Sequence, residues 1–301
     1  MSSPQKTPKF NSPRRRVSPN RGPVQSGTTR SAWLIEATRH LKEEGIPTPR
    51  LDAEIILAHT LNIPRTQLHA HTDELLSSRD LDIANARLDL RLDRVPVAYI
   101  IGHKEFYGRR FSVSTATLIP RPESEVMIEL LKEVMPTNTS ILTETRRLVD
   151  VGTGSGALGI TAKILYPELD VTLLDISRYA LTIAEKNAAA HHLSVQTMES
   201  DLLNSYPYQA DYILANLPYV DETWQRSPET DHEPALALFA NNGGLALIFK
   251  LLSQVERVLA PSGYLFIEAD PEQHEAIITE AKQYRLLLHT QRDYQLVFQQ
   301  L

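Results

Sequence analysis

Leu148-Val149-Asp150-Val151-Gly152-Thr153-Gly154-Ser155-Gly156 is the stretch whose reading decides the fold. The apolar run Arg147–Val151 reads as a buried strand, and three glycines follow at alternate positions. Ala157–Leu165 then carries Ile160, Thr161, Ile164 and Leu165 at helical spacing. A strand, a glycine turn and a helix in that order put free backbone N–H groups at the helix start, where they favour a carboxylate or other anion. The absent Cβ atoms let a ligand approach the backbone closely. The spacing is G-x-G-x-G, not the G-x-G-x-x-G of dinucleotide folds, and no lysine follows as in a Walker loop. A tight strand–helix connection without a ligand uses the same glycines, so the flanking sequence has to decide.

Downstream, strands and helices alternate. Val171–Leu174, Val195–Met198 and Tyr212–Ala215 read as further strands, with a helix through Ala180, Ile183, Ala184 and Ala188 between the first two. A helix over Leu245–Val258, a strand at Tyr264–Glu268, another helix and two terminal strands complete the series. This predicts an α/β, Rossmann-like architecture: an open, mostly parallel sheet with helices on both faces.

Two further features fall where such sheets hold ligands. Asp175 ends the second strand, 23 positions after Gly152, near the spacing at which doubly wound folds place an acid on ribose hydroxyls. Capping of the helix that begins near Arg178 is the other use for it. Asn216-Leu217-Pro218-Tyr219 directly follows the strand Tyr212–Ala215, outside its carboxyl end. An amide or exocyclic amine nitrogen is a poor nucleophile because its lone pair is delocalised. The Asn216 side-chain oxygen and the Leu217 carbonyl can accept its two N–H bonds and turn it toward a methyl donor. Tyr219 offers an aromatic wall for a planar group and for a sulfonium. Positioning and electrostatics would then supply most of the acceleration. A simple polar turn also uses Asn and Pro.

Upstream, residues 1–30 carry seven Lys or Arg and no acid, are rich in Pro and Ser, and predict a disordered basic tail. The other 24 basic residues face 37 acidic ones, so the body carries −13, which argues against non-specific capture of nucleic acid. Residues 31–95 predict a helical domain of four or five helices. Trp33, Leu34, Ala37 and Leu41 share one face, and Leu51, Ile55 and Ala58 a second; Leu81 through Val95 form a long helix stopped by Pro96. Residues 96–117 contain Phe106–Val113, two extended runs around Gly108 that read as a linker β-hairpin. The remainder, 118–301, is the α/β domain.

With no cysteine, a disulfide framework, a thiolate nucleophile and cysteine-ligated zinc are excluded. Apolar runs such as Leu245–Phe249 fall far below the ~20 residues of a membrane span, so no membrane partner is expected; the prolines Pro4, Pro8, Pro13, Pro19 and Pro23 count against a transit helix in the tail, so a cytoplasmic protein is expected. The histidine pairs His69/His71 and His191/His192 lack the i, i+4 spacing of metal ligands, and no metal is expected. Arg121 either reaches a ligand carboxylate or pairs with Glu123 or Glu125.

Thr117-Leu118-Ile119-Pro120-Arg121-Pro122-Glu123-Ser124-Glu125 resembles the segment preceding the catalytic domain of the release factor N5-glutamine methyltransferases. Gly102–Tyr107 with Phe111-Ser112-Val113 is similar to that family's linker hairpin, Glu233–Leu238 to its Glu-Pro loop, and Arg50–Leu57 to its N-terminal helical domain. The resemblance covers residues 31–301. It implies a seven-stranded methyltransferase sheet and a helical N-terminal domain that grips a release factor, acting as a monomer with no nucleic acid required. S-adenosyl-L-methionine would lie on Gly152, Thr153, Gly154, Ser155, Gly156, Asp175 and Leu202, with Asn216 beside it. The glutamine of the factor's Gly-Gly-Gln loop would lie on Asn216, Leu217, Pro218 and Tyr219. Two positions depart from the family. Leu217 stands where a second proline is usual, a form also like that of ribosomal RNA adenine dimethyltransferases; Leu202 stands where an aromatic residue often covers adenine. The competing expectations are an adenine-N6 methyltransferase, which needs a basic substrate face, and a binding module that has lost activity.

Overall fold

The computed structural model describes residues 27–135 and 145–301, so the expected basic tail lies outside the described residues as far as position 26. The chain divides between Ala86 and Arg87 into two compact units.

The first unit contains α1 (Arg30–Glu43), α2 (Pro49–Leu61), α3 (Arg65–Ala70) and the start of α4 (Ser78–Leu92). Thr29 caps α1 by accepting from the Ala32 N–H at 3.1 Å, and the Trp33 indole donates to Asn85 Oδ1 at 2.9 Å. On α2 the buried apolar residues are Ala53, Ile56, Leu57 and Ala58; of the expected Leu51–Ile55–Ala58 face Ala58 is buried, Ile55 half-buried and Leu51 38% exposed. Polar pairing turns the helix this way: buried Glu54 bonds Arg50 at 2.5 Å and Arg65 at 3.1 Å, and buried Asp52 accepts from Thr48 at 2.8 Å. Helix α4 stops at Leu92 rather than at the expected Val95, because Arg94 adopts a left-handed conformation with φ of 67°.

The second unit opens with α5 (Val97–Ile101) and a hairpin of β1 (His103–Phe106) and β2 (Arg109–Ser112). Tyr107 and Gly108 both have positive φ, 51° and 68°, the requirement of a two-residue type I′ turn. Asn187 ties this hairpin to the body: its Oδ1 accepts from Ser112 N at 2.7 Å, and its Nδ2 donates to the Ser112 and Ser155 carbonyls. Helix α6 (Glu125–Val134) was not anticipated; it buries Met127, Ile128, Leu130 and Leu131.

The sheet comprises β3 (Arg147–Val151), β4 (Asp170–Asp175), β5 (Gln196–Glu199), β6 (Ala210–Ala215), β7 (Leu259–Glu268), β8 (Leu286–Arg292) and β9 (Gln295–Gln300). Their spatial order is β5-β4-β3-β6-β7-β9-β8, parallel from β5 through β7, with β9 antiparallel to both neighbours. Side chains alternate across it with the period of two that strands impose. Val149, Val151, Ile213, Ala215, Leu265 and Ile267 pack on one face under α9 (Ala246–Val258) and α10 (His274–Ala281). Leu148, Tyr212, Leu214 and Phe266 face the other side, under α6, α7 (Ala157–Leu165) and α8 (Arg178–Ala190). Ile248, Leu251, Leu252, Val255 and Val258 make the inward stripe of α9, all fully buried, where each Leu→Ala change costs about 2–5 kcal/mol. The chain leaves β3 toward β5 and returns to β6 on the opposite side of β3, which makes the β3/β6 boundary the switch point of the sheet. Among the described residues no helix is long and apolar enough to cross a membrane, and no cluster of metal-ligating side chains occurs.

Candidate functional site

Strand register brings the sequence motifs together. Val151 pairs with Leu174 of β4 and Ala215 of β6, and Ala215 pairs with Ile267 of β7. The residues one step beyond, Asp175, Gly152, Asn216 and Glu268, therefore form a row along the carboxyl edge of the sheet, spanning about 14 Å at ~4.8 Å per strand.

The glycine turn is shaped from below. Buried Asp150 accepts through one oxygen from Thr153 Oγ1 at 2.6 Å and from Gly159 N at 2.9 Å. Burial, with the charge of Asp175 nearby, pushes its carboxyl up to about 6 against the hydrogen bonds of Thr153 and Gly159. Gly154 N donates to Asp175 Oδ2 at 2.9 Å and Ser177 N to its Oδ1 at 2.8 Å. Burial raises the Asp175 pKa while these backbone bonds lower it. The cap of α8 is Ser177, which accepts from Ala180 N, so Asp175 is not the capping residue.

Two cavities open above this edge. The first, of about 250 Å³, is lined by Gly152, Gly154, Asp175, Ile176, Leu202 and Leu247, with Thr153 and Ser155 also on its wall. Gly156 does not line it. A Cβ there would lie 2.6 Å from Ile160 Cδ1 and 3.2 Å from the Ala184 Cβ, so this glycine serves the packing of α7 on α8. The second cavity, of about 290 Å³, is lined by Tyr219, Trp224, Arg226, Glu268 and Tyr294 among others. Asn216, Leu217 and Pro218 line both and form the common wall; Tyr219 lines only the second.

Within this wall, Asn216 Nδ2 donates to Ser124 Oγ at 2.8 Å, which leaves Oδ1 as the amide's available acceptor. The Leu217 side chain is buried in the core under Gly152, so the missing proline is replaced by apolar packing. Gln273 Nε2 holds the Tyr219 carbonyl at 2.8 Å, and a Cβ on Gly244 would lie 1.9 Å from that same oxygen. Arg121 pairs with buried Glu233, not with Glu123 or Glu125, and Glu233 also accepts from Ile119 N at 3.1 Å. The Thr117–Glu125 segment and the Glu-Pro loop, similar to family motifs far apart in sequence, are thus stapled together over the cavities.

Ser124, Glu268, Gln295 and Asp150 were missed as site residues. Glu268 carried a usable signal: it ends a parallel strand next to β6, the position that the carboxyl-edge rule singles out. It is 1% exposed and accepts from Gln295 Nε2 at 2.8 Å and from the Tyr219 hydroxyl at 3.4 Å. Burial and the Glu268 charge push the Tyr219 phenol up, which keeps it neutral.

The first cavity fits a nucleoside-bearing sulfonium amino acid by its donor set. Asp175 puts a carboxylate acceptor on the wall for a ribose diol, Ile176, Leu202 and Leu247 supply apolar wall for a base, and the glycine turn bares backbone, with nothing within 4 Å of a Cβ built on Gly154.

Comparison with known proteins agrees over most of the length. Residues 32–102 match the PrmC N-terminal domain model and residues 124–262 the methyltransferase small domain model. A release factor glutamine methyltransferase of Koribacter versatilis is 39% identical over 246 residues, 78% of this chain and 86% of the relative. One from Deinococcus radiodurans is 33% identical over 251 residues, 83% of this chain and 88% of the relative. A solved methyltransferase from Pyrococcus furiosus aligns with a TM-score of 0.48 at 15% identity, over 71% of this chain and 96% of that one. On the two domain models and the sequence relatives, the chain belongs to the release factor glutamine methyltransferase family.

Proposed function

We propose that this protein transfers a methyl group from S-adenosylmethionine to the side-chain amide nitrogen of the glutamine in the Gly-Gly-Gln loop of a translation release factor. The observation that carries the reading is the shared wall: Asn216, Leu217 and Pro218 separate the cavity lined by the glycine turn and Asp175 from a second one, with Asn216 Oδ1 left as an acceptor. We place the protein in the cytoplasm, as a monomer that needs no nucleic acid. Residues 31–95 grip the factor, 96–117 link, and 118–301 carry the transfer.

When bound by Gly152, Thr153, Gly154, Ser155, Asp175 and Leu202, S-adenosylmethionine supplies an electrophilic methyl group on a sulfonium. Asn216 Oδ1 and the Leu217 carbonyl accept the two N–H bonds of the glutamine amide and so fix the direction of its nitrogen. Acceptance of both bonds would also stabilise the positive charge that grows on nitrogen as its lone pair forms the new C–N bond while the methyl's C–S bond breaks to leave a neutral thioether; the nitrogen then gives up one of its two protons to water. Tyr219, held neutral, walls the second cavity against the planar amide. The Arg121–Glu233 pair keeps the upstream segment over the site and limits water there.

Incubation with labelled S-adenosylmethionine and purified release factor, ribosomal RNA or DNA tests the substrate class. Label on the release factor alone is expected. Label on RNA or DNA with none on protein would contradict the reading and favour adenine-N6 transfer.

A further inference from the structure

We propose that the pairing of Glu229 with Arg91 and Arg94 fixes the loop that walls the second cavity and so sets how tightly the release factor's glutamine is held there, which makes Glu229 a positioning residue for the substrate. The inference rests on the reading of that cavity as the glutamine site.

After Val220 the chain makes a long excursion and returns at Phe239. Val220 N donates to the Leu238 carbonyl and Ala240 N to the Val220 carbonyl, both at 3.1 Å, so the two ends of the excursion are joined. Its regular elements are two short 3₁₀ turns, Pro228–His232 and Ala235–Ala237. Closed loops of this length are uncommon and usually carry function. Trp224, Gln225, Arg226 and Thr230 of this one line the second cavity together with Asn216–Tyr219. With no ladder or helix to define it, such a wall takes its position from side-chain bonds.

Glu229, next to Thr230, gathers three donors. Oε1 accepts from Arg91 Nη2 at 3.0 Å and from Arg94 Nη1 at 3.4 Å, and Oε2 accepts from the Ser227 hydroxyl. Ser227 also caps the first 3₁₀ turn by accepting from Glu229 N at 3.3 Å. At the far end of that turn His232 Nε2 donates to the Asp93 carbonyl at 2.9 Å. Arg91, Asp93 and Arg94 belong to one short stretch, the last turn of α4 and the residues after it. The Arg91 side chain is 6% exposed, a depth at which arginine is almost never found unless paired. Burial pushes the Glu229 carboxyl up, but Ser227, its own N–H and Arg91 outweigh burial and hold it at about 2, so it is ionised through the neutral range. A buried guanidinium holds its carboxylate along fixed N–H directions. Desolvation offsets much of the attraction, so the pair acts on where the loop sits more than on the stability of the fold. Glu229 lines neither cavity, so its loss leaves the glycine turn and Asn216 in place.

Steady-state methylation of release factor by Glu229→Gln, Arg91→Met and the double variant tests this, with cofactor affinity and melting temperature by calorimetry alongside. Glu229→Gln keeps the shape and removes the charge. It should raise KM for release factor roughly tenfold, the result of about a tenth of the loops remaining in the competent position. Both kcat and cofactor affinity should stay within about twofold, the pattern of lost binding rather than lost chemistry. Arg91→Met should act in the same way, and the double variant should be no worse than the weaker-binding single, since both break one pair. Trp224 gives a second readout. Trp33 and Trp224 are the chain's two tryptophans, so in Trp33→Phe protein the fluorescence reads Trp224 alone. Adding Glu229→Gln to that protein should raise acrylamide quenching roughly twofold as the loop opens. A wild-type KM or unchanged quenching in Glu229→Gln would overturn the inference. So would parallel losses of kcat, cofactor affinity and melting temperature, or KM effects that multiply in the double variant. Wild-type enzyme that labels no release factor would instead sink the reading of the second cavity, and Trp224 quenching would still show whether the pair holds the loop.

Discussion

An alanine at position 152 would place its methyl group 2.9 Å from Leu217 Cδ2 and 3.9 Å from the Asn216 carbonyl oxygen. Carbon atoms rest at about 3.5–4.0 Å, so something must move by roughly 0.6–1 Å. Leu217 is buried in the sheet core and cannot swing into solvent, so the displacement passes to the backbone of the tetrapeptide. Gly152 also has φ of 69°, where a Cβ costs about 1–2 kcal/mol. Overpacking adds about 1–3 kcal/mol, for a loss near 2–5 kcal/mol in total. In a unit of this size that lowers the melting temperature by roughly 5–15 °C. The Leu217 carbonyl is proposed to hold the reacting nitrogen, and a shift of ~1 Å there costs on the order of 100-fold in kcat. Calorimetric melting and methyl-transfer kinetics of Gly152→Ala measure both effects. The double variant Gly152→Ala/Leu217→Ala removes the colliding methyl group and should be less destabilised than the two singles added together. A Gly152→Ala protein that melts and turns over like wild type, or strictly additive singles, would refute the reasoning.

Asp150→Asn should separate charge from geometry, since both donors to Asp150 bond one oxygen that an amide retains. With its folded pKa raised from 3.8 to about 6, the ionised wild type is the disfavoured form, so stability is fully present below pH ~4 and is lost as pH rises through ~6. The difference between variant and wild type should therefore grow by about 3 kcal/mol from pH 4 to pH 7 in denaturant titrations. Glu233→Ala should destabilise more than Arg121→Ala, because the Glu233 side chain is 2% exposed and also satisfies Ile119 N, whereas Arg121 is 37% exposed; thermal melts order the two. Asp175→Ala should raise the dissociation constant for S-adenosylmethionine roughly 10–100-fold, read by calorimetry.

Local signals carried the sheet. Arg147–Val151 and Ala157–Leu165 coincide with the observed strand and helix, because an apolar run, three glycines and a helical stripe leave few alternatives. The order of the strands then brought Gly152, Asp175 and Asn216 to one edge with no further information. Less legible were features set by partners far along the chain. The α2 face depends on Glu54 being drawn inward by Arg50 and Arg65, against the apolar periodicity. Arg121 has acidic neighbours two and four positions on, yet the fold supplies Glu233, 112 positions away. Helix α6 was hidden by the proline-rich segment before it, although Met127, Ile128, Leu130 and Leu131 have helical spacing. Glu268 looks from sequence like the solvent-facing end of an apolar strand; Tyr219, 49 positions before it, and Gln295, 27 after it, bond it in the fold.

The most direct measurement is tandem mass spectrometry of release factor after reaction with S-adenosylmethionine, run with wild-type and Asn216→Ala enzymes at matched concentrations. The account predicts one added methyl group, borne on the side-chain nitrogen of the loop glutamine, with the rate lowered roughly 10²–10³-fold by Asn216→Ala. A methyl group on any other atom, or an Asn216→Ala enzyme as fast as wild type, would contradict it.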